Sequence, residues 1–493
     1  MFTLTTPEKV GIDSESVIRF LEKLEKRGAR THGILMMRHG EIFAEGYWKP
    51  FHKDFCHRMY SQTKSIVGIA IGLLEEEGKL SLDDKIVDHF PEKLDGKPQP
   101  YLEKQTIREM LTMTTVGGTS WWFVSDDPDR THMYLNESRF MNPSGTLWSY
   151  DSPGSQVLCS LVEKLAGKPL LAYMKEKLFD EMGVFQTATV LKTPNGDSWG
   201  DSAMVCTLRD MAALGCFVMQ KGVWNGKRLM NAEYLEAASS KLADNHETSH
   251  YSTYHQGYGY QIWRVCGNGF AFVGMGDQLT VCYPEQDFVF ACVSDNQGTN
   301  LIREMIFAEL EDSFVTKFSD EELPQAPAAQ QRLQALLSSL QLYTAKGLED
   351  SPLRARLNGK KYVCENNPMG ITQFSFVFNG EKEGEFRYTN AQGNKTIAFG
   401  VNHNRFGKFP QFGYANDYGR QVTTDGFLYD DAVSLAWLEE NKLMLLVQVI
   451  DRYFGNMSAT FCFKDDEAYA TFSKTAEYFF MEYEGRLLGR LAD

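Results

Sequence analysis

Met59-Tyr60-Ser61-Gln62-Thr63-Lys64-Ser65-Ile66-Val67-Gly68-Ile69-Ala70-Ile71-Gly72-Leu73-Leu74 is the stretch from which the rest of the chain is read. Ser61 precedes an apolar run that is punctuated at Gly78, where a glycine can take the left-handed conformation that closes a helix. The pattern predicts one buried helix. Its apolar part, Ile66 to Leu74, falls well short of the roughly 20 residues a bilayer span requires. Ser61 and Lys64 form the one Ser-x-x-Lys of the chain, and helical spacing puts both on one face. A lysine carried into an interior loses hydration, which favours the neutral amine, and a neutral amine can take a serine proton. The helix start adds free N–H groups and a positive dipole end, both suited to a developing oxyanion. A helix N-cap with an incidental lysine satisfies the same letters, and it is the apolar setting that favours the chemical reading.

Such a nucleophile needs a third group to relay protons, and Tyr-x-Ser or Tyr-x-Asn is the usual partner. Four segments fit: Tyr134-Leu135-Asn136, Tyr150-Asp151-Ser152, Tyr388-Thr389-Asn390 and Tyr414-Ala415-Asn416. Position selects Tyr150. It follows the turn Pro143-Ser144-Gly145 and a short extended piece, and it precedes a helix expected over about Gln156 to Leu165, stopped by Gly167 and Pro169. Tyr134 is expected in a polar acidic loop, and the last two lie in a β-rich tail.

Taken in order, Met59-Tyr60-Ser61-Gln62-Thr63-Lys64-Ser65, Leu111-Thr112-Met113-Thr114, Trp148-Ser149-Tyr150-Asp151-Ser152 and Phe272-Val273-Gly274-Met275-Gly276-Asp277-Gln278 resemble the motifs of the β-lactamase-related serine hydrolases. That group holds the class C β-lactamases, D-aminopeptidases, esterases and nylon-oligomer hydrolases, and the resemblance covers roughly residues 1 to 310. It implies Ser61 as the acylated nucleophile, Lys64 as its base, Tyr150 as proton relay, and Ser152 as a hydrogen-bonding substrate contact. It implies an oxyanion hole from the N–H groups of Ser61 and of Met275. The fold it implies is α+β, an antiparallel sheet flanked by helices with an inserted helical subdomain.

The third motif departs from the family pattern. Relatives carry Lys-Thr-Gly or His-x-Gly where this chain carries Phe272-Val273-Gly274, so Phe272 is expected to stand in the place of a cation that pairs with a substrate carboxylate. A neutral ester or amide is the expected small-molecule substrate. Trp121, Trp122, Phe123 and Trp148 are expected to line an aromatic pocket near Tyr150. His246-Glu247-Thr248-Ser249-His250 matches a zinc-protease pattern, but no apolar stripe surrounds it, so a surface loop is expected there and no metal or organic cofactor. The alternatives to a turning-over hydrolase are a penicillin-binding-type acyl receptor and, less favoured, a zinc metallopeptidase.

Farther along, Tyr258 to Val265 reads as a strand, and Val281 to Val293 as a hairpin turning at Pro284-Glu285-Gln286-Asp287. From Ser319 the chain turns acidic, then rich in Pro and Ala, and a short amphipathic helix follows with Leu333, Leu336, Leu337 and Leu340 in one stripe. Beyond it Phe374, Phe376 and Phe378 alternate before Asn379-Gly380, and Leu443 to Ile450 and Ala459 to Phe463 also suit strands. The expected organisation is a catalytic domain over 1–318, a linker with a short helix over 319–345, and a smaller all-β, barrel-like domain over 346–493.

Whole-chain composition narrows the partners. With 50 basic against 65 acidic residues and a net charge of -15, a phosphate-tracking surface for nucleic acid is not expected. The N-terminus, MFTLTTPEKVG, shows no charged lead into an apolar core, and the nine cysteines form no Cys-x-x-Cys pair. A cytoplasmic chain with reduced thiols is expected, its oligomeric state open.

Overall fold

A computed structural model describes residues 2–492 apart from 118–126, 138–141, 247–254, 299–300, 413–427, 477–479 and 481–482. The chain divides into two compact units, with the break in sequence between Gln341 and Leu342.

The first unit is built on a seven-stranded sheet of β1 (Thr3–Leu4), β2 (Thr31–Arg38), β3 (Glu41–Tyr47), β4 (Trp263–Val265), β5 (Gly269–Gly274), β6 (Gln278–Tyr283) and β7 (Phe288–Ser294), ordered β1-β3-β2-β7-β6-β5-β4. All neighbours run antiparallel except β1, which pairs parallel with β3, so the sheet is mixed at that edge. Every residue of β2 and β7 is buried because both faces are covered. Alternation then sorts the side chains: Leu35, Met37, Val289 and Ala291 enter one apolar cluster, Ile34, Met36, Phe288 and Phe290 the other. Helix α1 (Ser14–Lys26) packs on the second cluster through Val17, Phe20, Leu21 and Leu24. Helices α2 (Gln62–Glu76) and α4 (Leu208–Met219) cover the other face. Between them the chain inserts a helical layer that contains α3 (Ser152–Ala166), and α5 (Leu301–Leu310) follows the sheet.

The buried helix expected after Ser61 is α2: Gln62 to Leu74 are all buried, and Gly78 closes the turn with φ 66. Gly68 is required here, because a Cβ on it would stand 2.8 Å from the Tyr260 carbonyl oxygen. The expected strand at Tyr258 is shorter than its composition suggests. Gln261 adopts φ 59 and its N–H donates to the Leu111 carbonyl, so only Trp263–Val265 joins the sheet. The amphipathic helix spans Pro327–Ser339 within the first unit, where Leu337 and Leu340 fill the space that Gly46 of β3 leaves open.

The second unit is all β. Nine strands from Lys361–Cys364 to Gly485–Leu491 close into a barrel through a parallel pairing of Gly393–Val401 with Leu428–Glu439, where Gly400 faces Ser434. Arg405–Phe412 pairs onto Leu428–Glu439 as a tenth strand. The alternation of Phe374, Phe376 and Phe378 follows the pleat: all three are buried, with Phe386 and Phe461 against Phe376 at centroid separations of 5.1 Å each.

Candidate active site

Ser61 stands at the N-cap of α2, but its side chain makes no capping bond. The turn that delivers it is strained, for Tyr60 adopts φ 47, a conformation that a ringed residue rarely takes and that clusters at functional sites. Arg58 holds this turn from outside, with its guanidinium 4.5 Å from the Tyr60 ring centroid and 4.6 Å from that of Trp199. Instead of capping, the Ser61 hydroxyl accepts a hydrogen bond from Lys64 Nζ at 3.0 Å. Lys64 is 1% exposed, and its ammonium donates a second bond to the Asp201 carbonyl at 2.7 Å. The Asp201 carboxyl is itself buried, which pushes its pKa up, while the neighbouring Lys64 charge opposes that rise.

Tyr150 lies over the same lysine, with Nζ 5.1 Å from its ring centroid. Trp263 stacks on the same phenol ring at 5.5 Å and an interplanar angle of 22°. Trp148, His255 and Tyr258 continue the aromatic wall around Trp263. Burial lowers the His255 pKa to about 4, so this wall carries no charge at neutral pH. The segment behind Tyr150 is tied down: the Ser149 N–H donates to the Met113 carbonyl at 2.9 Å. The Asp151 carboxylate accepts from the Gly154 N–H at 2.9 Å, Thr115 Oγ1 at 2.9 Å and Tyr134 OH at 3.2 Å.

Asp151 is thus the N-cap of α3, which begins at Ser152 rather than near Gln156. Sequence periodicity detects only the apolar rows, which start later. Tyr134 also departs from expectation: it lies in a helix over Arg130–Asn136, is fully buried, and braces the Tyr150 segment through Asp151.

Phe272 requires a correction. Its ring is fully buried in the apolar cluster between the sheet and α2, with no exposure toward a substrate. Alternation along β5 explains this, since Phe270, Phe272 and Gly274 share the face turned to α2, and Thr280, paired with Phe272, donates to Gln62 Oε1. A lysine there would bury its charge in the core, so Phe272 does not occupy the place of a substrate-binding cation. Gly274 abuts the turn that leads to the nucleophile. A Cβ on it would lie 2.3 Å from the Met59 carbonyl oxygen, so the glycine lets the end of β5 abut the turn that carries Ser61. Met275 follows in a half-buried turn. Trp121, Trp122 and Phe123 of the expected pocket, and Glu247 to His250 of the zinc pattern, lie outside the described residues.

The structure therefore brings Ser61, Lys64 and Tyr150 together and sets Gly274 against Met59, in the turn that carries Ser61. Asp201, Trp263 and Arg303, whose guanidinium donates to the Gly274 carbonyl at 3.2 Å, are not legible in the sequence, because each comes from a distant segment with no local pattern to mark it.

Comparison with known proteins agrees with this architecture. The Beta-lactamase family model matches residues 18–309, and the chain belongs to that family. The chain is 24% identical over 249 residues to a 6-aminohexanoate-dimer hydrolase of Paenarthrobacter ureafaciens, an alignment covering 47% of this chain and 63% of that protein. It is 26% identical over 223 residues to the esterase EstB of Burkholderia gladioli, covering 38% of this chain and 55% of the esterase. The chain thus spans less than two thirds of these relatives' length. Among solved structures, a penicillin-binding protein homologue from Caulobacter crescentus superposes with a TM-score of 0.51 at 15% identity, over 61% of this chain and 97% of the homologue, and shares the fold.

Proposed function

We propose that this chain is a serine hydrolase that cleaves a neutral ester or amide through an acyl-enzyme on Ser61. The observation that carries the proposal is the 3.0 Å contact between Lys64 Nζ and Ser61 Oγ in a buried setting. With the amine neutral, the same geometry lets Nζ receive the hydroxyl proton as Ser61 attacks the carbonyl. Tyr150, packed against the same amine, passes a proton to the leaving group and later draws one from the water that releases the acid. The N–H groups of Ser61 and Met275 supply the oxyanion hole, and Ser152, 8% exposed at the first turn of α3, is assigned to substrate contact.

The preference for a neutral substrate rests on the aromatic wall of Trp148, Tyr150 and Trp263, joined by a His255 that burial keeps neutral, and on the pairing of Arg303, beside the third motif, with Asp277 at 2.8 Å. The hydrolase and esterase names of the relatives support the same class.

The test is a panel of p-nitrophenyl esters, D- and L-aminoacyl amides, short amide oligomers and nitrocefin, run on wild type and Ser61→Ala, with intact-mass detection of the acylated chain. Turnover of uncharged esters or amides with an acyl adduct that vanishes in Ser61→Ala is expected. A stoichiometric adduct without turnover would identify an acyl receptor instead, and turnover that survives Ser61→Ala would defeat the proposal.

A further inference from the structure

The turn that carries Met275 is held by its carbonyls. Gly274 O accepts from Arg303 Nη2 at 3.2 Å, and Met275 O from Gln278 Nε2 at 3.1 Å. Gly276 O accepts from Ser294 Oγ at 2.8 Å and from the Asn296 N–H at 3.1 Å, while Asp277 O takes the same Ser294 hydroxyl at 3.0 Å. One of these donors is a cation. Arg303 projects from the first turn of α5 with its side chain 11% exposed, and its Nε donates to Asp277 Oδ1 at 2.8 Å. Asp277, at φ 66 in the turn, has a side chain only 1% exposed.

The Gly274 carbonyl and the Met275 N–H are the two ends of one planar peptide group. A cationic donor on the oxygen draws electron density toward it and makes the N–H at the other end a stronger donor. It also fixes the peptide plane, since rotation would carry the oxygen off the guanidinium. The strand end is pinned separately, by the approach of Gly274 to Met59.

We propose that Arg303 is a positioning residue of the oxyanion hole: its guanidinium, seated on the Gly274 carbonyl and clamped by Asp277, orients and polarises the Gly274–Met275 peptide so that the Met275 N–H meets the developing oxyanion. This rests on the acyl-enzyme reading, with Met275 as a donor. Asp277 offsets the cation's net charge, so the benefit is directional and falls on the tetrahedral intermediate rather than on the bound substrate.

The experiment uses the full chain as wild type, Arg303→Lys, and the paired variant Arg303→Met/Asp277→Asn, which removes the buried charges together. For each, kcat and KM are measured on a p-nitrophenyl ester, and affinity for phenylboronic acid, which forms a tetrahedral anionic adduct on the serine. Expected in the paired variant is a fall in kcat of roughly 10-fold, less than the roughly 10²- to 10³-fold for losing an oxyanion donor outright. KM should stay within about twofold and boronate affinity should fall in step with kcat, the pattern of an interaction made in the transition state. Arg303→Lys, which keeps the cation without its planar fork, should lose part of both, and it decides alone if the paired variant does not fold. Wild-type kcat and boronate affinity in whichever folded variant decides would overturn the proposal. So would a rise in KM at constant kcat, which would make Arg303 a contact for a substrate carboxylate. Fluorophosphonate labelling of wild type separates the two levels: no label at Ser61 defeats the acyl-enzyme reading, whereas a normal label with indifferent Arg303 variants defeats this inference only.

Discussion

The two units bury polar groups in opposite ways. Around Ser61 the first unit encloses Arg58, Lys64, Asp151 and Asp201, each at most 2% exposed. The barrel is lined by aromatic rings, and Asp431 is its one buried residue of charged type among the described residues. Burying an ion costs several kcal/mol unless a partner and hydrogen bonds offset it. The first unit buries charges elsewhere too, Glu8 and Arg38 among them, but beside Ser61 four of them surround one nucleophilic hydroxyl, whereas the barrel is nearly free of them, and that concentration marks the place suited to chemistry. Ser61→Ala probes this contrast most severely. Turnover and fluorophosphonate labelling should fall by roughly 10⁴-fold or more, as for removal of a nucleophile. Because the Ser61 hydroxyl caps nothing, the melting temperature should barely move. A large drop in stability instead would mean that the buried polar cluster serves folding rather than chemistry.

Asp431 tests the barrel side. Burial, helped by Asp430, pushes its carboxyl up to about 7 from an ordinary 3.8, while Lys408 and the Gly407 N–H oppose the shift. The folded state therefore keeps a proton that the unfolded chain releases between about pH 4 and pH 7, and the contribution to stability falls as pH rises through that window. Asp431→Asn removes the effect. Its unfolding free energy relative to wild type should be near zero at pH 4 and rise to roughly 4 kcal/mol by pH 8, from about 3 pKa units at 1.36 kcal/mol each. Urea unfolding of both proteins across that range measures it, and a difference independent of pH would show that Asp431 stays ionised in the barrel.

Tyr150→Phe asks whether the phenol acts in proton transfer or only packs. Its ring contacts with Lys64 and Trp263 survive the change, so a loss of roughly 10²-fold in kcat, the usual scale for a positioned acid–base group, isolates the hydroxyl. A wild-type rate would remove Tyr150 from the relay and leave it as part of the wall.

What could be read from the sequence divides along the same physical line. The buried helix after Ser61, the pairing of Ser61 with Lys64 and the alternating Phe374, Phe376 and Phe378 are local patterns, with periods that survive folding unchanged. The face that Phe272 takes is not readable from the sequence, because strand alternation fixes it only once the strand's end is known, and Gly274, one step beyond Val273, is the residue that meets the nucleophile's turn. The start of α3 lies ahead of its apolar rows because Asp151 caps it through a side-chain bond that leaves no apolar trace. Arg303 comes to Gly274 across 29 residues of chain, and Asp201 to Lys64 across 137, distances over which no spacing rule operates.

Tyr134 carries the smallest expected effect and separates support from chemistry most finely. It sits in the same Tyr-x-Asn pattern that Tyr150 satisfies in its Tyr-x-Ser form, yet its hydroxyl is buried, accepting from Gln105 Nε2 at 3.0 Å and donating to Asp151 Oδ2 at 3.2 Å. Tyr134→Phe deletes both bonds: the Gln105 amide loses this acceptor and Asp151 Oδ2 loses one of its two donors, which should lower stability by about 1–3 kcal/mol. Asp151 keeps Thr115 Oγ1 and the Gly154 N–H, so the cap of α3 holds and Tyr150 stays over Lys64. Activity at a temperature where the variant is folded should then fall by no more than a few-fold, with the shape of its pH profile unchanged. Chemical denaturation and kcat measured on the same preparation give both numbers. A loss near 10²-fold with intact stability would move the proton relay from Tyr150 to Tyr134, and the two tyrosines would exchange roles.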